Sequence, residues 1–145
     1  MKLFTIGFTG KSAEKFFNLL VESKVTKLID IRINRTSQLA GFTKEQDLRF
    51  FLPNLVGLDY LVREDLAPTK ELLAAYRNQG ISWAEFSQKY RNLMHSRKVF
   101  ESLTPEVFGN SVLLCSESDP DMCHRTLLAN ELSILFPSIK VHNLT

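Results

Sequence analysis

The side chains of this sequence that are best suited to chemistry lie together in one short segment. The segment LLCSESDPDMCHRTLLA, residues 113–129, contains both cysteines of the chain, and three acidic residues and a His–Arg pair accompany them. Thiol, carboxylate, imidazole and guanidinium groups carry out nucleophilic attack, proton transfer and anion binding in proteins. An apolar run begins directly after the segment, so we expect a chemically equipped loop that leads into a helix.

The cysteines in this segment allow three interpretations. Cys115, Cys123 and His124 match no common zinc-ligand spacing and no fourth ligand is evident, so we expect no metal site. Cys115 follows an apolar strand, as the nucleophile of cysteine phosphatases and sulfurtransferases does. However, the loop after it lacks glycine and is acidic, which predicts a raised rather than a lowered thiol pKa. In the third interpretation both cysteines are small buried packing residues.

The charged groups of the segment suggest an anion near the start of the following helix. We expect Asp119 or Asp121 to cap that helix, which places His124 and Arg125 in its first turn. Cations are disfavoured at a helix N-terminus, so we expect an anion to compensate them. That anion is either a neighbouring carboxylate, such as that of Glu117, or a bound ligand.

The elements that must position these groups alternate between strand and helix. Apolar and β-branched runs predict strands at residues 2–7, 27–31, 60–62, 111–115 and 140–143. Start signals predict four further helices: Ser12 as a cap, capping boxes at Thr43–Gln46 and Ser82–Glu85, and Pro68 in the first turn of a helix that Gly80 closes. The alternation predicts one α/β domain over residues 1–145, with three layers and a mostly parallel, Rossmann-like or flavodoxin-like sheet.

In such sheets, ligands bind outside the carboxyl ends of the strands. The first strand brings Thr9 and Lys11 to that edge, and the second brings Asp30 and Arg32. The strand at 111–115 brings the segment described above. We expect these three strands to be neighbours, so that their polar groups converge. Asp30 and Glu117 are then the candidate general acid or base groups.

Composition excludes several classes of protein. The 145 residues are 44% hydrophobic and carry a net charge of +2, which is too small to favour nucleic-acid binding by itself. The apolar stretch at the N-terminus is too short for a signal peptide or a membrane span. We therefore expect a cytoplasmic protein that does not bind membranes and whose cysteines are free thiols.

The same residues resemble an uncharacterised family, domain of unknown function 488. Its members show Cys-x-Glu after an apolar strand and then Cys-His-Arg at the start of a helix, which here are Cys115, Glu117, Cys123, His124 and Arg125. The stretch TIGFTGKSAEKFFNLL is similar to the opening of the family. The stretch LIDIRINRTSQLAGF, with Asp30, Arg32 and Ser37, is similar to its second block. The resemblance implies an α/β fold and a polar cluster built from the matched residues, including Ser37.

The chain also departs from that family in two places. Many relatives have proline before the serine of the second block, where this chain has Arg35-Thr36-Ser37. Many have Leu-Gly-Gly after the third strand, where this chain has Leu66-Ala67-Pro68. Both differences fall near the expected site, so its loop and its ligand can differ from those of the relatives.

These observations lead to one favoured hypothesis and one rival. In the favoured hypothesis the chain binds or acts on an anionic, phosphate-bearing and nucleotide-like ligand at the carboxyl edge of the sheet. Arg125, Arg32, Thr9 and Lys11 would bind it, Glu117 or Asp30 would move protons, and His124 would orient or donate. In the rival, the chain is a non-catalytic module that binds nucleic acid or protein, and its Cys/Glu/His/Arg cluster only stabilises the fold. Reactive thiol chemistry at Cys115 is a third possibility, and no cofactor is indicated.

Overall fold

The computed structural model describes residues 1–36, 41–117 and 120–145. Two sequence predictions concern residues outside these ranges. They are the ligand-binding role of Ser37 and the capping role of Asp119.

The strands of the described chain form one parallel five-stranded sheet, which confirms the predicted α/β architecture. They are β1 (Lys2–Gly7), β2 (Lys27–Asp30), β3 (Asp59–Val62), β4 (Ser111–Cys115) and β5 (Lys140–Leu144). Their order is β3-β2-β4-β1-β5, and every neighbouring pair is parallel. The strand with the cysteine therefore lies between the two strands expected to be its neighbours.

The register brings the carboxyl ends of these three central strands close together. Cys115 is paired with Gly7 of β1, and Leu114 is paired with Asp30 of β2. All of β4 is buried, as its uninterrupted apolar run predicts for a strand covered on both faces. Groups that follow Gly7, Asp30 and Cys115 consequently leave the sheet at one edge.

Among the described residues, six α-helices cover the sheet. They are α1 (Ala13–Ser23), α2 (Glu45–Phe51), α3 (Lys70–Arg77), α4 (Trp83–Ser96), α5 (Val99–Ser102) and α6 (His124–Leu135). A single turn of π-helix, Leu52–Val56, continues α2 and contains Pro53, where a kink or an end was expected. Within the described ranges, none of the helices has the length and hydropathy needed to cross a bilayer.

The alternation of side chains along the strands divides the core into two layers. Leu113 of β4 packs with Phe86 of α4 and Leu128 of α6. Leu114, the next residue, packs on the other face with Phe16 of α1. Successive strand residues point to opposite faces, so Cys115 lies on the face of Leu113, beneath α4 and α6.

Two of the predicted helix caps are confirmed. Ser12 caps α1 by accepting a hydrogen bond from the Lys15 amide at 3.1 Å. Ser82 caps α4 by accepting one from the Glu85 amide at 3.1 Å. In both cases the cap needs only residues that are three positions apart.

The predictions for α2 and α3 are wrong at their ends. The N-cap of α2 is Lys44, without a side-chain hydrogen bond, because Thr43 is buried in a preceding 3₁₀ turn. The N-cap of α3 is Thr69, so Pro68 lies before the helix. At the end of α3, Gln79 rather than Gly80 adopts the left-handed conformation, with φ of 60°. The Gly80 amide then donates to the carbonyl oxygen of Ala75 at 2.8 Å, which gives a Schellman ending.

Gly7, the last residue of β1, allows another part of the backbone to approach closely. A Cβ atom placed on Gly7 would overlap the carbonyl oxygen of Glu117, and it would lie 2.9 Å from Nη1 of Arg125. Only glycine therefore permits the segment after β4 to lie against the end of β1.

We expect Gly7→Ala to destabilise the fold by about 3 kcal/mol, because the backbone of the β4–α6 segment must shift to make room for the methyl group. The matched control is Gly41→Ala, where no described atom lies within 4 Å of the added Cβ and φ is not positive. Urea unfolding measures both variants. Equal stabilities would contradict the close approach at Gly7.

Candidate functional site

The carboxyl end of β4 places Cys115 next to the start of α6. The N-cap of α6 is Cys123, without a side-chain hydrogen bond, and the helix begins at His124. The prediction that Asp121 caps this helix is wrong, because Asp121 lies in a separate 3₁₀ turn, Pro120–Met122. The turn brings the two cysteines and the histidine together although the cysteines are eight positions apart in the chain.

His124 is held by a hydrogen bond at each ring nitrogen. Its Nε2 lies 2.9 Å from the carbonyl oxygen of Ile31, at the end of β2. A carbonyl only accepts hydrogen bonds, so Nε2 carries a hydrogen. Nδ1 therefore faces the Sγ atom of Cys115, at 3.4 Å. Residues from β2, β4 and α6 thus fix the imidazole in one orientation.

The environment favours ionisation of Cys115 over that of Cys123. Burial raises the pKa of the Cys115 thiol, but a hydrogen bond from Cys123 and the positive charges of His124 and Arg125 lower it well below its usual range. Burial and the neighbouring Cys115 raise the pKa of Cys123 well above its usual value. Burial lowers the pKa of His124, but the negative charge of Cys115, the hydrogen bond to its sulfur and the hydrogen bond to the Ile31 carbonyl together raise the pKa above its usual value. The expected rise in the Cys115 pKa is therefore wrong, because the thiol is in contact with Cys123 and His124 and near Arg125, rather than with the acidic groups of the loop.

The same three residues form a compact set of potential metal ligands. One ligand atom from each of Cys115, Cys123 and His124 lies within 4.8 Å of the other two. All three side chains are at most 5% exposed. Chemically, the set can act as a thiolate–imidazolium pair, or it can ligate a cation. We expected no metal site from the spacing of these residues and from the lack of an evident fourth ligand, and neither observation includes the way in which the turn folds.

Arg125 is fully buried, and it packs against the backbone of the loop. Its guanidinium donates a hydrogen bond to the carbonyl oxygen of Glu117, above Gly7. We considered two roles for Arg125, a structural one and the binding of a ligand. The contact with the Glu117 carbonyl is a structural one that shapes the loop. The Glu117 side chain projects away from it and remains 47% exposed.

Arg32 and Asp30 form a buried ion pair at this edge. Arg32 donates from Nε and Nη2 to the two carboxylate oxygens of Asp30 at 2.8 and 2.7 Å, and Tyr60 donates to the same carboxylate at 2.6 Å. Arg32 also donates to the carbonyl oxygen of Thr43 and lies over the ring of Phe8. Burial and the Asp30 carboxylate raise the pKa of Tyr60 strongly, so its hydroxyl stays a donor. Asp30 itself has no exposed surface.

A narrow cavity leads from the surface to the Cys/His cluster. Its volume of about 30 Å³ corresponds to roughly one water-sized group. Two wider surface clefts of about 680 and 790 Å³ flank it. Arg77 of α3 lines all three, and Trp83 and Glu117 line the cavity and the second cleft. We call this composite feature the edge cleft.

The predicted ligand-binding residues occupy different parts of this edge. Arg32 lines the edge cleft, whereas Thr9, Lys11 and Arg125 are not among its described lining residues. Thr9 donates its amide hydrogen to the carbonyl oxygen of Ser116 at 3.0 Å. Burial and the charge of Arg125 lower the pKa of Lys11. These residues meet at the same edge of the sheet, but on the β1 side of the loop.

Sequence reasoning did not identify the opposite wall of the edge cleft. Tyr76 and Arg77 come from α3, and Trp83 comes from α4. The rings of Tyr76 and Trp83 lie 5.5 Å apart. No local pattern marks these residues, because the wall forms only when distant segments meet, as in the contact of Arg77 with Glu117 across 40 positions of the chain.

The family model named Domain of unknown function DUF488 matches residues 12–132, and the chain belongs to this family. No curated protein and no solved structure gave a match.

The buried ion pair between Asp30 and Arg32 predicts a large effect of Asp30→Asn on stability. The substitution leaves the buried Arg32 without its carboxylate partner, so we expect a loss of about 3 kcal/mol or more in the free energy of unfolding. Tyr60→Phe removes a single hydrogen bond to the same carboxylate, so we expect a smaller loss of about 1–2 kcal/mol. Denaturant unfolding tests both. A native-like stability of Asp30→Asn would contradict the stabilising role of its contact with Arg32.

Proposed function

We propose that this member of the DUF488 family binds a phosphate-bearing, nucleotide-like small molecule in the edge cleft and acts on it with the groups at the cleft's deep end. One observation carries the proposal. A cavity wide enough for a single small group ends on Cys115 and His124, and it opens beside an exposed guanidinium that also lines two much wider clefts.

The preference for an anion is supported by Arg77. Its side chain is 45% exposed, and its contact with Glu117 is long, at 3.4 Å. Exposed ion pairs of this kind contribute little stability, so a ligand can replace the carboxylate at small cost. A guanidinium also matches the geometry of phosphate and carboxylate groups. The N-terminus of α6 adds partial positive charge at the same edge.

The preference for a nucleotide-like ligand is supported by the aromatic wall. Tyr76 and Trp83 line the wider cleft next to Arg77. Aromatic side chains stack on nucleobases, with a contribution of about 1–3 kcal/mol per base. A ligand with an aromatic ring and an anionic group therefore fits the two kinds of surface that meet at Arg77.

In this proposal the predicted site residues divide into two groups. Glu117, half-exposed at the mouth of the cavity, is placed to exchange protons with a bound ligand, and Cys115 and His124 lie next to the group that enters the cavity. Arg32, Asp30 and Arg125 position the loops around them. Ligand binding by Arg125 would require the buried guanidinium to leave the Glu117 carbonyl.

The rival function, a binding module with a purely structural cluster, is favoured by one observation. The cluster and Arg125 are almost completely buried, as core residues are. A module for nucleic acid would bind oligonucleotides with an affinity that falls steeply as salt increases, because bound phosphates release counterions. A small-molecule site would show a much weaker salt dependence.

Arg77→Gln tests the proposed function. We expect it to weaken the binding of adenosine monophosphate about tenfold, because one charge-assisted hydrogen bond of about 1.5 kcal/mol or more is lost. Adenosine without phosphate should bind the variant and the wild-type protein alike. Isothermal titration calorimetry measures both ligands.

Arg91→Gln is the matched control for this test. Arg91 is 43% exposed and has one carboxylate contact, with Glu131 at 3.3 Å, but it is not among the described lining residues of the edge cleft. Equal affinities for adenosine monophosphate in the Arg77 and Arg91 variants would remove the edge cleft as the anion site. No binding by the wild-type protein would refute the proposed function.

A further inference from the structure

We propose that Cys115, Cys123 and His124 form a binding site for a thiophilic divalent cation of the zinc class, with its fourth coordination position open to the edge cleft. This inference deepens the proposed function, on which it rests for the identity of the fourth ligand. The anionic group that enters the cavity would complete the coordination.

The separation of the ligand atoms fits such a cation. Zinc bonds to sulfur and nitrogen are about 2.3 and 2.0 Å long, so ligand atoms of a tetrahedral site lie about 3.3–3.8 Å apart. The Sγ atom of Cys115 and Nδ1 of His124 are 3.4 Å apart, and Sγ of Cys123 lies within 4.8 Å of both. Binding then needs only a small adjustment of side chains rather than a change of fold.

The orientation of His124 supports ligation through Nδ1. A histidine that ligates a metal usually donates its other N–H to a carbonyl or carboxylate oxygen, which fixes the ring. The contact between Nε2 and the Ile31 carbonyl, at 2.9 Å, has this geometry. Nδ1 is therefore directed at the Sγ atom of Cys115 before any cation binds.

The second cysteine distinguishes a cation site from a simple Cys–His pair. A thiolate–imidazolium pair requires only Cys115 and His124, yet Cys123 is also buried beside them. Two thiolates, one neutral imidazole and a divalent cation have no net charge, which reduces the cost of burying the group. The set Cys₂His with one open position is also a known pattern of catalytic zinc sites.

The position of the cavity indicates which class of ligand would occupy the open coordination position. Cys115, Cys123 and His124 all line the narrow cavity, so the open position faces it rather than the core. Anions and water are the usual fourth ligands of such a cation, which polarises a bound phosphoryl or carbonyl oxygen. An anion that also contacts Arg77 would reach the cation through the cavity.

Cobalt substitution of the full chain tests the site. We expect chelator-treated wild-type protein to bind one Co²⁺ with a near-ultraviolet thiolate-to-cobalt charge-transfer band and the intense visible bands of tetrahedral cobalt. Added Zn²⁺ should abolish both and protect the two thiols from iodoacetamide. Absence of the bands, together with unprotected thiols in the presence of Zn²⁺, would overturn the inference without any variant.

Variants test which residues ligate. Cys123→Ser and His124→Gln should each weaken Zn²⁺ affinity by more than about 100-fold in competition with a chromophoric chelator, since loss of an outer hydrogen-bond partner alone costs up to about 100-fold. The control is His95→Gln, an exposed histidine at the end of α4. An unchanged cobalt spectrum in His124→Gln would overturn the assignment.

The proposed function and the proposed cation site can be refuted independently of each other. Arg77→Gln should weaken adenosine monophosphate binding and leave Zn²⁺ affinity unchanged. Zinc binding without any anion binding would support the cation site and refute the proposed function. Anion binding by protein that shows no cobalt bands would keep the proposed function, refute the cation site, and assign Cys115 the role of a free thiolate.

Discussion

The geometry of this site depends on one buried arginine. Arg125, in the first turn of α6, donates to the main-chain carbonyl of Glu117, and the contact lies directly above Gly7 at the end of β1. It ties the exit of β4 to the entrance of α6. A buried cation is costly unless its donors are satisfied, so the backbone of this loop is held firmly. Cys115 lies two residues before Glu117, and His124 lies directly before Arg125. The hydrogen bond between Arg125 and Glu117 therefore fixes the chemical groups next to both of its partners.

A second buried arginine has a similar role on the other side of β4. Arg32 binds the carboxylate of Asp30 through two donors and the carbonyl of Thr43 through a third interaction. It thereby joins β2 to the segment before α2, and Ile31, between Asp30 and Arg32, offers its carbonyl to His124. Two arginines that the sequence offered for a ligand are thus held by main-chain carbonyls and, for Arg32, by the Asp30 carboxylate, whereas Arg77 presents a half-exposed guanidinium at the cleft.

The chemistry of Cys115, Cys123 and His124 depends on their exclusion from solvent. The three side chains have at most 5% of their surface exposed to solvent, which strengthens every electrostatic interaction among them. A lone thiol in such a place would remain neutral, but a histidine held by a carbonyl, a second cysteine and Arg125 together favour negative charge on sulfur. The same features suit a nucleophile and a cation ligand. A nucleophile alone would not require Cys123 to be buried beside Cys115. A nucleophile and a cation ligand both need access for one small group, and the cavity provides it.

The sequence by itself determined the positions of the strands, the two serine caps and the place of the Cys/His segment after a buried strand. These depend on periods of two residues and on hydrogen bonds three residues apart, which any single sequence displays. The sequence also indicated that Thr9, Arg32 and Cys115 would reach one sheet edge, given the assumed strand order. Only the tertiary structure decided that Arg125 would bind a carbonyl, that the Cys115 pKa would fall, and that Tyr76, Arg77 and Trp83 would form the facing wall. Those outcomes depend on contacts between segments that lie tens of residues apart, such as that of Arg77 with Glu117, and no local pattern encodes which segments meet.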